Sequence, residues 1–342
     1  MKSKALVLKQ KGKSNHAFEL QDIDLPALKQ DEVMIESESF GLNYADVMAR
    51  NGQYKDAPPM PCVIGYEAVG VIVEVGSQVD QKMIGQRVLA FCRFGGYGRH
   101  IITKSEATHV IDQLPSQEVL ALCTQGVTAY YMTHVLSPIN EGDKVLVHAA
   151  AGGVGSILIQ LAKQRGACVI AKVGTREKED LVRQLGADHV INYRDKDYEQ
   201  EVRVFLNGGS IDISFNPVGG VTFKKDMKLI GPGGRLFIFG GAAISGRKFG
   251  ILSSLNFLRK MGLIIPAGLM MSSKSILGVN MLKIADHRPE VMKESLNWFI
   301  EAYQKGEINI CVGGVFNSDQ IAQAHDLLEG GTSKGKISVR WV

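Results

Sequence analysis

The chain is poor in the features that would place it outside ordinary globular enzymes. Of 342 residues only five are cysteine, at 62, 92, 123, 168 and 311. An odd number this widely spaced cannot form a disulfide framework, so reduced thiols and a cytoplasmic setting are expected. No C-x-x-C pair occurs, which removes the local thiolate cluster that a structural zinc needs. Net charge is only +4, without a block of one sign, so a nucleic-acid footprint is not expected. Long apolar runs are missing too. The N-terminal Ala5–Leu8 run is too short for a signal-peptide core. The most apolar later run, Met261–Met271, is interrupted by Pro266, preceded by Arg259 and Lys260, and about half the length of a bilayer span, so no integral membrane segment is expected.

What is present is 45% hydrophobic residues and a length that accommodates about two domains. The informative stretch is Val145–Gln160, VLVHAAAGGVGSILIQ. Val145–His148 reads as a strand buried on both faces, as in a parallel sheet covered by helices. Ala150, Gly152 and Gly155 take the three small positions of the dinucleotide-binding turn, and Ile157, Leu158 and Leu161 open a helix whose free amides would face a pyrophosphate. A tight strand-to-helix turn with nothing bound is the plainer alternative; the next strand, Cys168–Val173, at βαβ spacing favours the dinucleotide.

The first 110 residues predict short strands, among them Ala5–Leu8, Glu32–Glu36 and Gly70–Val75, the last with Val71, Val73 and Val75 on one face. Glycine and proline punctuation points to a small β-barrel. Phe40–Tyr54 carries Asn43 and Asp46 in a helix-compatible run, and Gly65–Gly76 carries Glu67; a helix cap and a satisfied buried amide are the plain readings of these polar residues. A helix is predicted over Thr124–Pro138. Further strands are predicted at His189–Asn192, Ile211–Phe215, Arg235–Phe239 and Ile276–Val279, with helices at Glu177–Leu185, Thr222–Leu229 and Pro289–Gln304 and a closing strand at Lys336–Trp341. Leaving aside the closing strand, which is expected to return to the first domain, these four with Val145–His148 and Cys168–Val173 make six strands of a doubly wound sheet.

FGLNYADVMARNGQY, GYEAVGVIVEVG, GQRV (Gly85–Val88), HAAAGGVG and PVGG (Pro217–Gly220) occur in one order and spacing. In this the chain resembles, over essentially its whole length, the zinc-less quinone oxidoreductases of the medium-chain dehydrogenase/reductase superfamily. GLNYADVMARNGQY and the apolar Ala242–Ser273 insertion resemble most the branch of the vesicle amine transport protein homologues. The resemblance implies an α/β fold: a GroES-like β-barrel domain from residues 1–124 plus 283–342, and a Rossmann domain with a doubly wound, parallel six-stranded sheet from residues 125–282. It places the active site in the cleft between the domains. Asn43 and Thr128 would face the nicotinamide, Gly152, Gly153 and Val154 the pyrophosphate, and Phe239 and Gly240 the nicotinamide ribose, with Ala151, Gly174, Thr175, Lys178, Tyr193, Val218 and Gly241 completing the cofactor-binding set. Two positions depart from the family pattern, Gln86 for an Asp in the GD(R/K)V turn and Asn216 for the Asp before VGG.

Zinc-dependent relatives use a Cys in the segment matching Asn43–Asp46 and a His before the Glu of a GHE signature. Here the first has no Cys and Tyr66 stands in place of the His, so no metal is expected. The strand end that carries an acid in NAD-selective folds carries Gly174, with Arg176 and Lys178 one turn on, so NADPH is the expected cofactor. The chemistry implied is hydride transfer to quinones or α,β-unsaturated carbonyls, with Tyr54, Tyr66 and Asn43 as candidate donors to the developing oxyanion. An alternative is a cofactor-binding protein of vesicle or lipid surfaces, motivated by the apolar stretch from Phe249 to Met271. A homodimer is expected through the edge strand Ser275–Asn280.

Overall fold

The computed structural model describes residues 1–242 and 259–342; the expected apolar insertion therefore lies partly outside the described residues. The chain divides into two compact units, Met1–Val127 with Met281–Val342, and Thr128–Asn280.

The first unit is built on β-structure. β1 (Lys2–Leu8) pairs antiparallel with β2 (Phe18–Asp24). β3 (Glu32–Leu42) is its longest strand, and β4 (Glu67–Val75), β5 (Arg87–Phe91), β6 (His100–Lys104) and β7 (Thr108–Val110) follow. β3 pairs with β4 on one side, with β6 over its first half and with β15 (Lys336–Arg340) over its second, so the sheet must bend. The C-terminal segment thus completes this unit. β14 (Val312–Asn317) lies parallel to β15 at the edge.

The expected apolar face of Val71, Val73 and Val75 is not what the strand forms. Ile72 is fully buried and Val73 is 39% exposed. The register slips between the Met34–Glu74 and Ile35–Ile72 pairs, leaving Val73 as the extra residue of a bulge, which turns it outward. The helix expected at Thr124–Pro138 starts earlier and ends at Leu136. It runs from Ser116 through wide π-type turns at Leu122–Gly126 and Tyr131–Leu136, and stops where Ser137 becomes extended.

In the second unit β8 (Lys144–Val147), β9 (Cys168–Val173), β10 (His189–Asn192), β11 (Ile211–Asn216), β12 (Ile230–Ile238) and β13 (Ser275–Gly278) form one parallel sheet in the order β10-β9-β8-β11-β12-β13. Val145, Leu146, Val147, Val169, Ile170 and Ala171 are all fully buried, which explains their unbroken apolar runs. Helices at Gly153–Gln164, Arg176–Gln184, Tyr198–Phe205 and Val221–Leu229 connect the strands. The Tyr198–Phe205 helix, which the sequence reading did not predict, places Tyr198, Val202 and Phe205 on one face against the core; Asp197 caps it through a 2.8 Å bond from the Glu199 amide. β12 begins five residues before the predicted Arg235, its pairing interrupted by Gly231–Gly234, and ends before Phe239.

Candidate active site

The residues expected to bind cofactor gather at the C-terminal edge of the parallel sheet, each just beyond a strand: Ala151–Val154 after β8, Gly174, Thr175 and Lys178 after β9, Tyr193 after β10, Val218 after β11, and Phe239–Gly241 after β12. This edge is where open α/β sheets bind ligands. The chain leaves β8 sharply, with Ala149 at φ +48°. The Ala150 amide donates to the Lys172 carbonyl (3.2 Å) and that of Gly152 to Ala149 (2.9 Å). Gly152 caps the 12-residue Gly153–Gln164 helix without a side-chain bond, leaving its first amides available to an anion. A Cβ at Gly155 would lie 2.5 Å from the Ala149 carbonyl oxygen, so only glycine lets helix and turn close together.

The end of β9 carries no carboxylate. Gly174 faces Tyr193, whose hydroxyl would be 2.7 Å from a Cβ there, and Lys178 is buried to 8% exposure in the first turn of the next helix. Gly240 lies against Pro217, whose carbonyl oxygen would be 2.6 Å from its Cβ. Asn216 suits its position. Its Oδ1 accepts from the Val218 and Gly219 amides, both at 2.9 Å, while its Nδ2 donates to Asp226 at 2.5 Å, a bond an Asp could not make while ionised. Helix amides, glycines where side chains cannot fit and a strand end free of acid together fit a dinucleotide bearing a 2′-phosphate.

A buried polar network missed by the sequence reading lies beneath this edge. Asp226, fully buried, accepts from Tyr198 Oη (2.9 Å), Ser214 Oγ (2.9 Å), Asn216 and His148 Nε2 (3.1 Å). Burial alone would raise the Asp226 carboxyl, yet His148 and its other donors hold it below its usual range. Burial pushes His148 down, so the ring is neutral: Nδ1 accepts from Lys172 Nζ (3.2 Å), leaving the Nε2 proton for Asp226. The local sequence carried one signal, a lysine in the otherwise apolar strand CVIAKV.

In the first unit Asn43 begins the Tyr44–Arg50 helix. Its backbone amide donates to Asp46 Oδ2 (2.8 Å), the cap reading, but its side chain does something else. Asn43 Nδ2 donates to Glu67 Oε1 (2.9 Å), and Oδ1 accepts from Lys336 Nζ (3.3 Å). Glu67 and Lys336, both fully buried, form an ion pair, and Glu67 Oε2 accepts the Thr124 amide at 2.8 Å, the buried-amide reading. Burial raises Asp46 to about 7. Tyr54 and Tyr66 meet edge to face at 6.4 Å, and burial raises both phenols, keeping them protonated donors at neutral pH. Burial also raises the Cys92 and Cys123 thiols. Among the described residues no group of three or more His, Cys, Asp or Glu side chains could hold a metal ion, and no helix is long and apolar enough to cross a membrane. Thr128, in the second unit, is 8% exposed.

Residues 29–136 match the alcohol dehydrogenase GroES-like domain and residues 153–301 the zinc-binding dehydrogenase domain. The chain is 32% identical over 228 residues to quinone oxidoreductase 1 of Escherichia coli, covering 66% of this chain and 69% of that one. It is 30% identical over 314 residues to the synaptic vesicle membrane protein VAT-1 homolog of Danio rerio, covering 91% of this chain but spanning only 64% of the relative's length. The structure of E. coli quinone oxidoreductase complexed with NADPH superposes with a TM-score of 0.82 at 25% identity, over 99% of this chain and all of that one. Domain pair, sheet order and relatives agree: the chain belongs to the medium-chain dehydrogenase/reductase superfamily, in its quinone oxidoreductase and VAT-1 homologue branch.

Proposed function

We propose that this protein is an NADPH-dependent oxidoreductase that reduces quinones or α,β-unsaturated carbonyls without a metal. The observation that carries the reading is the acid-free strand end at Gly174 beside the open helix start at Gly152, a place for a 2′-phosphate next to a place for a pyrophosphate. The similar E. coli oxidoreductase was solved with NADPH. When bound, the dihydronicotinamide supplies two electrons as hydride; the substrate's second hydrogen is a proton from a protein donor or water.

The Gly152–Val154 amides would hold the pyrophosphate, Ala151 its approach, Thr175, Lys178 and Tyr193 the 2′-phosphate, and Val218 and Phe239–Gly241 the nicotinamide half. Asn43 and Thr128 are assigned to the nicotinamide. Asn43 is suited to a fixed role, because Glu67 and Lys336 engage both ends of its amide. Tyr54 and Tyr66 are assigned as donors to the oxyanion that develops on the acceptor; such preorganised donors contribute about 10²–10³ in rate. Acceptors whose own conjugation stabilises that charge need no Lewis acid.

The test is turnover with NADPH and NADH against a panel of quinones and enones, before and after dialysis against a zinc chelator. Chelator-resistant consumption of NADPH is expected. About one tightly held zinc per chain with activity lost on its removal, or preference for NADH, would overturn the reading. A second reading, lipid-surface association, is favoured by Leu263 (90% exposed), Met270 (76%) and Met271 (84%) beside Arg259, Lys260 and Lys274; cosedimentation with anionic vesicles tests it.

A further inference from the structure

Lys172 stands against its surroundings. It sits in β9 between Ala171 and Val173, both at most 2% exposed, and is itself only 6% exposed. A buried ammonium carries a heavy desolvation penalty, and among the described residues this one makes one hydrogen bond, to His148 Nδ1. Its remaining directions are covered by aromatic faces: Nζ lies 4.1 Å from the Tyr198 ring centroid and 4.9 Å from that of Tyr193. Tyr198 belongs to the buried network around Asp226. Tyr193 does not. It is 47% exposed, and its hydroxyl lies against Gly174 at the end of β9.

We infer that Lys172 is a positioning residue for the 2′-phosphate of NADPH: its buried charge holds the Tyr193 ring against Gly174 from below and adds a positive potential under the phosphate subsite. The inference rests on the proposed NADPH reading and names a determinant beneath the residues assigned there. A lysine reached by solvent would be screened; one enclosed by two rings and an imidazole keeps its field. The rings also gain from the cation, since a desolvated ammonium over an aromatic face is attracted to it. Asp226 balances the charge from across the imidazole, so the ammonium stays tolerable without being neutralised at close range.

Lys172 is faced from the surrounding elements by the neutral imidazole of His148 beyond β8 and by three charged groups, Asp226 and Lys225 on the Val221–Leu229 helix and Asp197 at the start of the Tyr198–Phe205 helix. Burial is the largest influence and pushes Lys172 down to about 8, Lys225 acting in the same direction and Asp226 and Asp197 opposing. Its charge therefore fades as pH rises through about 8. A phosphate monoester has already lost its second proton, with a pKa of about 6, so preference for the 2′-phosphate should weaken between pH 7 and 9 on account of the protein.

The experiment is calorimetric binding of NADPH, NADH, adenosine 2′,5′-bisphosphate and 5′-AMP to the wild type and to Lys172→Met, with thermal melts to establish folding. The two fragments lack the nicotinamide, so the readout is independent of turnover. Lys172→Met should weaken NADPH and the bisphosphate about 10-fold and leave NADH and 5′-AMP within about 2-fold. Tyr193→Leu should act in the same direction, whereas Tyr193→Phe, which keeps the ring over the ammonium, should retain the pH dependence of the preference. In the wild type the NADPH-to-NADH affinity ratio should fall from pH 7 to 9; in Lys172→Met it should be flat. Equal losses for all four ligands, or a pH-independent wild-type ratio, would overturn the inference, and the wild-type series decides alone if the variant does not fold. A wild type with no preference for either 2′-phosphorylated ligand would instead refute the NADPH reading.

Discussion

Glu67→Gln tests whether the fully buried Glu67–Lys336 pair organises the first unit. Glu67 accepts from three donors, the Thr124 amide, Asn43 Nδ2 and Lys336 Nζ. It also packs with Lys336 on Gly41, where a Cβ would collide with both side chains. A glutamine whose oxygen stays on Lys336 and Asn43 keeps two of those bonds, but it removes the counter-charge of a buried ammonium and turns its NH₂ toward the Thr124 N–H, donor against donor. Breaking a buried pair from one side costs about 3–5 kcal/mol, which for a unit of this size lowers the melting temperature by roughly 2–4 °C per kcal/mol. Loss of at least about 6 °C is expected. Lys336→Met should cost less, because the carboxylate keeps two donors. The double variant should cost less than the sum of the singles by about 0.5–3 kcal/mol, since no lone charge remains. Urea and thermal unfolding of the four proteins provide the cycle. Glu67→Gln within 1 kcal/mol of wild type, or strict additivity, would mean that the pair is hydrated and that its burial has been misjudged.

Lys178→Ala should weaken NADPH about 10-fold to 150-fold and leave NADH nearly unchanged, the loss of one charge-assisted bond of roughly 1.5–3 kcal/mol; equal loss for both cofactors in binding titrations would reduce Lys178 to a structural side chain. Asp46 is raised by burial to about 7 in the folded protein, against about 3.9 unfolded, so its contribution is complete below pH 4 and is lost as pH rises through 7. Asp46→Asn should therefore gain more stability at pH 8 than at pH 5, and a pH-independent difference in melting temperature would contradict this. β13 ends the six-stranded sheet, with one edge unpaired among the described residues. Light scattering should give a dimer at micromolar concentration, and Ile276→Lys should shift it toward monomer; a monomeric wild type would refute pairing through this edge.

Much of the architecture is readable from local chemistry. Two-sided burial leaves apolar runs such as VLV and CVIA, small residues mark the turn between β8 and its helix, and the βαβ spacing of the two strands around that turn points to a dinucleotide fold. The bulge at Val73 is not legible locally, because a register slip depends on the partner strand rather than on the strand itself. Tertiary structure alone decided the polar interior. Asn43 is the helix cap that the sequence suggests, with Asp46 as its partner, but only the fold shows that its side chain is also engaged by Glu67 and by Lys336, which lies 293 positions away. Gly174 looked like a missing acid; in the fold it is also the surface on which Tyr193 rests. Lys172, His148 and Asp226 have no common sequence pattern and become one network only when two neighbouring parallel strands and the Val221–Leu229 helix bring their side chains together beneath the cofactor edge. Periodicity and turn preference act over a few residues and so are written in the sequence, whereas the partner of a buried charge is set by whichever distant segment packing brings within about 3 Å.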